Sequence, residues 1–500
     1  MLAKATTYAI EGIFARRVTV EVDVRSGLPA FAIVGLPDVA VRESRERVRA
    51  ALLNEGFEFP QKRITANLAP ADLHKVGPSF DLAIACALLA ASEQIETGRI
   101  AEMALVGELS LDGGVHPVRG VIAVAEAAAA DGVRTLVVPD SNQREALLIE
   151  QIAVAPARKV GDLIAIAEGA WEPVSAAPLD HSASEGPDLR DMRGHVFSQR
   201  ALEIAAAGGH HVLLKGPPGC GKTMLARRLP SILPSLTREE AIEVTRMQSV
   251  AGNLRVDGLV SQRPFRSPHH SISPSGLIGG GALPTPGEAT LATNGVLFLD
   301  ELAEFSVRTL ESLRTPLESG TISVTRGQVT RDFPARFMLV GATNPCPCGQ
   351  GGDRCRCAPQ EIARYDRRLS GPLLDRFDLH CRVDRPTPAE VEAGPVSDSA
   401  TVRERVEIAR ERQAARFHDE RVHCNGQLDG ARTRLLLTPP DEVRESLNDA
   451  YKRGALSMRG YDRSLRVART IADLEDRDSI NADDVAEALA FRVFEPGGYQ

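Results

Sequence analysis

Through residue 171, short runs of apolar and β-branched residues take turns with longer runs whose apolar positions recur every three or four residues. Arg17–Val24 (RVTVEVDV) alternates polar and apolar positions strictly, the mark of a half-buried strand. Ala30–Val34, Met103–Leu109 and Thr135–Val138 read as further strands, and Val39–Asn54, Leu82–Ser92 and Val121–Asp131 as helices. This alternation predicts an α/β domain. The central part holds three uninterrupted apolar runs, His211–Leu214, Val296–Leu299 and Phe337–Val340, as expected of strands buried on both faces of a parallel sheet. From Thr401 onward the period is helical, at Thr401–Arg416, Pro440–Arg453, Ser464–Glu475 and Ala482–Phe491.

Two stretches lack any apolar period: EPVSAAPLDHSASEGP at 172–187 and PTPAEVEAGPVSDSA at 386–400. Rich in Pro, Ser, Ala and acids, they read as linkers. The expected organisation is an α/β domain over 1–171, a parallel-sheet domain over 188–385 and a helical domain over 401–500. Three domains suit 500 residues at roughly 150 residues each.

No run approaches the roughly 18 apolar residues of a membrane span, and the opening MLAKATTYAIEGIF lacks a basic region ahead of an apolar core. A cytoplasmic protein with no membrane partner is the expectation. A net charge of -8 argues against a nucleic-acid partner, because phosphate affinity rests on Lys and Arg. Its distribution reverses that inference: 1–187 carries -8 and 386–500 carries -5, while 188–385 carries +5.

That basic segment also holds the clearest chemistry. Gly216-Pro217-Pro218-Gly219-Cys220-Gly221-Lys222-Thr223 satisfies G-x-x-x-x-G-K-[ST] between an apolar run and a helical one. Its glycines let backbone N–H groups surround phosphates at a helix N-terminus, Lys222 reaches the β and γ oxygens of ATP, and Thr223 offers a ligand to Mg²⁺. Val296–Leu299 runs into Asp300-Glu301, where Asp300 suits Mg²⁺ and Glu301 suits a general base for an attacking water. Asn344, following the third run, would orient that water; the competing reading is a turn residue ahead of Pro345. Three strands each delivering polar groups at one end describe an open parallel sheet with its ligand at that edge.

These motifs, with GPSFDLAIA, GELSLDGGVHPVRG, FRSPHHS, GVLFLDELAEF, LSGPLLDRFDLH and RGYDRSLRVARTIADL, resemble the ComM/YifB family of AAA+ ATPases, related to the magnesium-chelatase I subunit. The resemblance runs essentially the length of the chain. It implies a Lon-protease-like (ribosomal S5-like) N-terminal α/β domain, an AAA+ core and a C-terminal helical lid. It makes Lys222 and Thr223 Walker A, Asp300 and Glu301 Walker B, and Asn344 sensor 1. It further implies a homo-oligomeric ring, usually a hexamer, with ATP between neighbours and Arg376 as the finger reaching the next subunit's γ-phosphate. Without the family, Arg376 reads as a surface ion pair. Arg463 resembles the sensor 2 arginine, with Arg459 and Arg466 as the alternatives.

Four features lie outside this core pattern. The 78 residues from Lys222 to Asp300 exceed what the core needs, and their FRSPHH and Ile278-Gly279-Gly280-Gly281 segments read as loop, with His269-His270 structural or metal-binding. Gly320–Arg331 reads as a hairpin about Arg326-Gly327. Helicase-type relatives project such a hairpin into the ring pore, and Arg326 at its tip and Arg331 at its base would face a DNA backbone; a solvated hairpin is the plainer alternative. Cys346, Cys348, Cys355 and Cys357 form C-x-C-x6-C-x-C, which suits a structural Zn²⁺ or leaves four free thiols on a loop. Ser79 sits where the Lon-type fold carries its nucleophile, but Ile122 occupies the place of the partner Lys, and the nearby Arg119 stays protonated and cannot act as a base.

The function so implied is an ATP-driven ring motor on single-stranded or branched DNA, a helicase or branch-migration factor of the kind used in natural transformation. A chelatase-type motor remodelling a protein partner is the first alternative, disfavoured because that subunit lacks the Lon-like domain. An ATP-dependent protease is the second, disfavoured by Ile122.

Overall fold

A computed structural model describes residues 1–96, 98–173, 186–254, 258–280, 285–326, 329–369, 371–418, 422–454 and 456–492. The chain forms two compact units. One comprises the described residues of 1–181 with Arg238–Val260, the other those of 182–237 and 261–500.

The first unit is built on a seven-stranded mixed sheet. Leu2–Glu11 and Phe14–Arg25 form its long antiparallel centre; Arg63–Ala69 continues it on one side and Met103–Leu105 on the other. Ala30–Val34 and Val39–Asn54 fold as the pattern predicts. The helix Asp81–Ala91 is buried at all eleven positions, and its near-continuous apolar sequence, DLAIACALLAA, lets it serve as the core of the unit. Its one charge, Asp81, is held by a two-pronged contact from Arg47 at 2.6 and 3.1 Å. Burial raises the Asp81 pKa, and the guanidinium opposes that shift.

Ser79 lies in the short turn Pro78–Phe80 ahead of this helix, and Ile122 is fully buried among Val121, Val124 and Ala125. Arg119 packs against Gly252. Gly252 belongs to the excursion 238–260 of the central segment. There the helix Arg238–Val250 docks on the first unit through Arg246–Glu126 at 2.8 Å, Ser249 Oγ accepting from Gly120 N at 2.9 Å, and Ile242 against the apolar cluster. The surplus between Lys222 and Asp300 is thus partly a helix, and sequence position alone assigns it to the wrong neighbour.

The second unit holds a five-stranded, all-parallel sheet in the order Phe265–Arg266, Val296–Leu299, Met338–Thr343, Val212–Lys215, Leu379–Arg382. Phe265–Arg266, expected as loop, is therefore an edge strand paired with Val296 and Leu297. A two-residue strand in the three residues between Pro264 and Pro268 is too short to show a period. The helices Ser399–Arg416, Asp441–Lys452, Met458–Leu474 and Ala482–Ala490 form the C-terminal helical region, sharing one core with Val196–Gly208 and Lys222–Ile232. The expected α/β class with a parallel-sheet AAA+ domain and a helical C-terminal region is the observed fold.

Within 386–400, expected as linker, lies the short helix Pro388–Glu392, and Ser399 Oγ accepts from Leu189 N at 2.8 Å. Most of the linker expected at 172–187 lies outside the described residues. No described helix is long and apolar enough to cross a membrane.

Candidate active site

The parallel sheet brings three of the motifs to one edge. Val212–Lys215 leads into the glycine-rich loop, Val296–Leu299 into Asp300-Glu301, and Met338–Thr343 into Asn344. Register places Lys215 beside Thr343 and Leu299 beside Gly341, so the three strands end within two residues of one another at the same edge. Gly221 caps the helix Lys222–Ile232 at φ +93°, a left-handed conformation that a side chain strains against, and so turns the chain from loop to helix within one residue.

Lys222 Nζ lies at the mouth of that loop. It donates to the carbonyls of Gly216 (2.6 Å) and Pro217 (2.9 Å) and to Asn344 Oδ1 (3.1 Å). Burial lowers its pKa, against which Cys220, Asp300 and Glu301 act. Thr223 Oγ1 donates to Asp300 Oδ2 at 2.7 Å. These two oxygens are the hard donors that a magnesium ion accepts, so the residues present fit Mg²⁺.

Glu301 has φ +52°, unusual for a residue with a side chain, and its carboxylate is exposed. Its Oε2 lies 3.3 Å from His270 Nδ1. His270 also lies against His269, with ring centroids 4.0 Å apart and planes tilted by 34°, and meets Phe305 edge-on. The His pair is thus tied to the Glu301 carboxylate through His270. The signal was the FRSPHH segment, legible only once its Phe265–Arg266 is known to be a strand adjoining Val296–Leu299, with the His pair following it.

Arg376 and Arg463 do not join Lys222. The Arg376 side chain is 5% exposed and its guanidinium is ion-paired with Glu318, which is 60% exposed. Arg463 donates to the Arg376 carbonyl at 2.6 Å and to Asp378 Oδ1 at 2.8 Å; Arg466 meets the same Asp378 oxygen at 3.1 Å. Arg459 is exposed. Asp378 is 2% exposed: burial works to raise its pKa, but Arg463 and Arg466 hold the carboxyl well below the usual range. Sequence reasoning passed over Asp378 and Glu318, whose partners lie far along the chain.

The hairpin is longer than expected. Its strands are Thr321–Arg326 and Val329–Pro334, so Arg331 stands opposite Val324 in mid-ladder rather than at the base, because Asp332-Phe333-Pro334 continue the pairing. Phe333 is fully buried, which anchors that base. Arg326 closes the ladder opposite Val329; its side chain and Gly327 lie outside the described residues, as does Gly281 of the glycine run.

The four clustered cysteines follow Asn344 directly. Their sulfurs all lie within 4.8 Å of one another. Cys346 is buried and Cys348 exposed. Backbone N–H groups, Arg356 first and then Gln350, pull the Cys348 thiol down to about 6.

Comparison with known proteins agrees with this geometry. A family model described as magnesium chelatase, subunit ChlI, matches residues 188–391, and one described as its C-terminal part matches 396–492. A third, described as subunit ChlI of Mg-chelatase, matches 20–142, so the N-terminal domain does not by itself set this chain apart from chelatase-type proteins. The chloroplastic magnesium-chelatase subunit ChlI of Nicotiana tabacum is 27% identical over 41% of this chain and 43% of its own. Similarity to two bacterial proteins spans nearly everything: YifB of Escherichia coli is 45% identical over 98% of this chain and 96% of its own length, and competence protein ComM of Haemophilus influenzae 44% over 98% and 97%. The chain belongs to the ComM/YifB family of magnesium-chelatase-related AAA+ ATPases.

Proposed function

We propose that this protein is an ATP-hydrolysing ring motor that acts on DNA as a helicase or branch-migration factor. The observation that carries the ATPase half is the convergence of Lys222, Thr223, Asp300, Glu301 and Asn344 at one edge of one parallel sheet. In this reading the loop Gly216–Thr223 wraps the phosphates of ATP, Lys222 neutralises their charge, and Asn344 turns from Lys222 to the attacking water. Glu301 takes that water's proton, with His270 fixing the carboxylate. Thr223 and Asp300 would hold Mg²⁺, which would supply charge neutralisation to the phosphates. A structural Zn²⁺ at the four cysteines completes the cofactor set.

Subunits assemble as a ring, expected to be a hexamer, in which Arg376 leaves Glu318 for the neighbour's γ-phosphate. Arg463 belongs to the lid as sensor 2 and reports closure through Asp378. The module boundaries at 172–187 and 386–400, and a cytoplasmic location, belong to the same reading.

The DNA half is supported by three things: the relative named as a competence protein, the +5 charge of 188–385, and the hairpin Thr321–Pro334 with Arg326 at its turn and Arg331 on its second strand. Arginines repeated around a ring track a phosphate backbone with little base selectivity. An Arg326→Glu chain is expected to bind single-stranded DNA more weakly than wild type and to show a shallower dependence of affinity on salt; equal affinity with an unchanged salt slope would remove the hairpin from the interface. The matches of all three modules to chelatase subunit models favour a second reading, a motor that remodels a protein partner, in which DNA leaves the rate of ATP hydrolysis unchanged.

A further inference from the structure

The loop 345–358 (PCPCGQGGDRCRCA) contains no Val, Leu, Ile, Met or aromatic residue. It has no apolar core of its own, and apart from the single turn Gly352–Arg354 it carries no regular structure. Yet its sulfurs form a compact group. Cys346 and Cys348 are 3.3 Å apart, Cys346 and Cys355 3.5 Å, and Cys348 and Cys355 3.9 Å; Cys348 N donates to Cys357 Sγ at 3.3 Å. A disulfide needs about 2.05 Å, so none of these pairs is bonded. Four thiolates around a zinc ion at about 2.3 Å stand about 3.8 Å apart along each edge of the tetrahedron, in the range these sulfurs already occupy.

The loop is also placed where its shape matters. It begins one residue after Asn344, whose Oδ1 accepts from Lys222 Nζ. Midway, Gly349 has φ +77° and its N–H donates to the Cys346 carbonyl at 2.9 Å. A Cβ at Gly349 would stand 2.9 Å from Pro218 Cδ and 3.9 Å from Asn344 Cγ, so this turn rests directly on the phosphate loop. The cysteine loop therefore adjoins Asn344 and rests on the phosphate loop at Pro218.

We propose that Cys346, Cys348, Cys355 and Cys357 bind one Zn²⁺ as a strut that sets Asn344 and braces the phosphate loop at Pro218, so that nucleotide turnover depends on occupancy of the metal site. The inference rests on the reading of Lys222 and Asn344 as nucleotide-site residues. Zinc acts here on shape alone: it exchanges no ligand and touches no phosphate. Stripping it frees a core-less loop, and Asn344 loses its fixed position.

The test uses the full chain purified without chelator. Elemental analysis is expected to find one zinc per chain, lost in Cys357→Ser and kept in Cys357→His, which preserves a ligand. A zinc-selective chelator, with Mg²⁺ in excess, is expected to lower ATP hydrolysis by about tenfold or more, with recovery on adding zinc back. Amide hydrogen exchange at 216–221 and at 344, measured without nucleotide, is expected to rise on stripping. Absence of zinc from the wild-type chain overturns the proposal, as does unchanged exchange at those amides after stripping. The two readings also fail separately: faster exchange in a chain that never hydrolyses ATP upholds the strut and rejects the ATPase, whereas hydrolysis untouched by stripping rejects the strut and upholds the ATPase.

Discussion

A Glu301→Gln chain is expected to bind ATP as the parent does and to hydrolyse it about 10² to 10⁴ times more slowly, the range lost with a positioned general base. Glu301 is the one carboxylate at the strand ends that turns away from the hydrogen-bonded pair. Asp300 is engaged on both oxygens, by Thr223 Oγ1 at 2.7 Å and by the Glu301 N–H at 2.9 Å. Glu301 is exposed and touched by His270 alone among the contacts described for its side chain. Its φ of +52° aims the carboxylate off the line of the strand, and the amide isostere keeps that backbone and the His270 neighbour while removing the basic oxygen. Binding of a fluorescent nucleotide and steady-state phosphate release measure the two halves. A variant hydrolysing at the parental rate would take the base role away from Glu301.

Loss of Arg376 is expected to be as severe and to differ in kind. Arg376→Ala should keep nucleotide affinity and lose about 10³-fold or more in hydrolysis, the scale on which an arginine finger acts. The separation follows from geometry: Arg376 lies on Glu318 and not on Lys222, so its own chain's phosphate loop is indifferent to it. A finger works on the neighbour. Mixing Arg376→Ala with Lys222→Ala should therefore restore part of the activity, because an intact finger from the second chain reaches an intact pocket in the first. Equal inactivity of the mixture would assign Arg376 to its own chain, as one more cation packed around Asp378 through the Arg463 contact. Thermal unfolding of the single variant separates that outcome from simple misfolding.

Much of this arrangement was legible along the chain, for reasons that can be named. The helix Val39–Asn54 carries a clean helical period and an Asp38 cap, with the side chain accepting from Val41 N at 2.8 Å, and it folds over the residues its pattern marks. The glycine-rich loop was legible because it is local: eight consecutive residues bring their own strand and helix. Asp300 and Asn344 were legible because each ends an apolar run. What stayed hidden was pairing through space. Phe265–Arg266 becomes a strand only through Val296–Leu297, and with it His270 gains Glu301. Asp378 meets Arg463 and Arg466 across more than eighty residues of sequence, and Glu318 meets Arg376 across 58. Arg238–Val250 is a helix of the surplus between Lys222 and Asp300, and nothing along the chain marks Ser249 and Arg246 as partners of Gly120 and Glu126.

The central claim, an ATP-driven motor on DNA, is tested most directly by the rate of ATP hydrolysis measured with and without single-stranded and branched DNA, at fixed salt. The account predicts a rate that rises with DNA and returns toward the basal value as salt displaces the phosphate contacts. A basal rate that neither DNA form changes at any salt would contradict it and favour the motor that works on a protein.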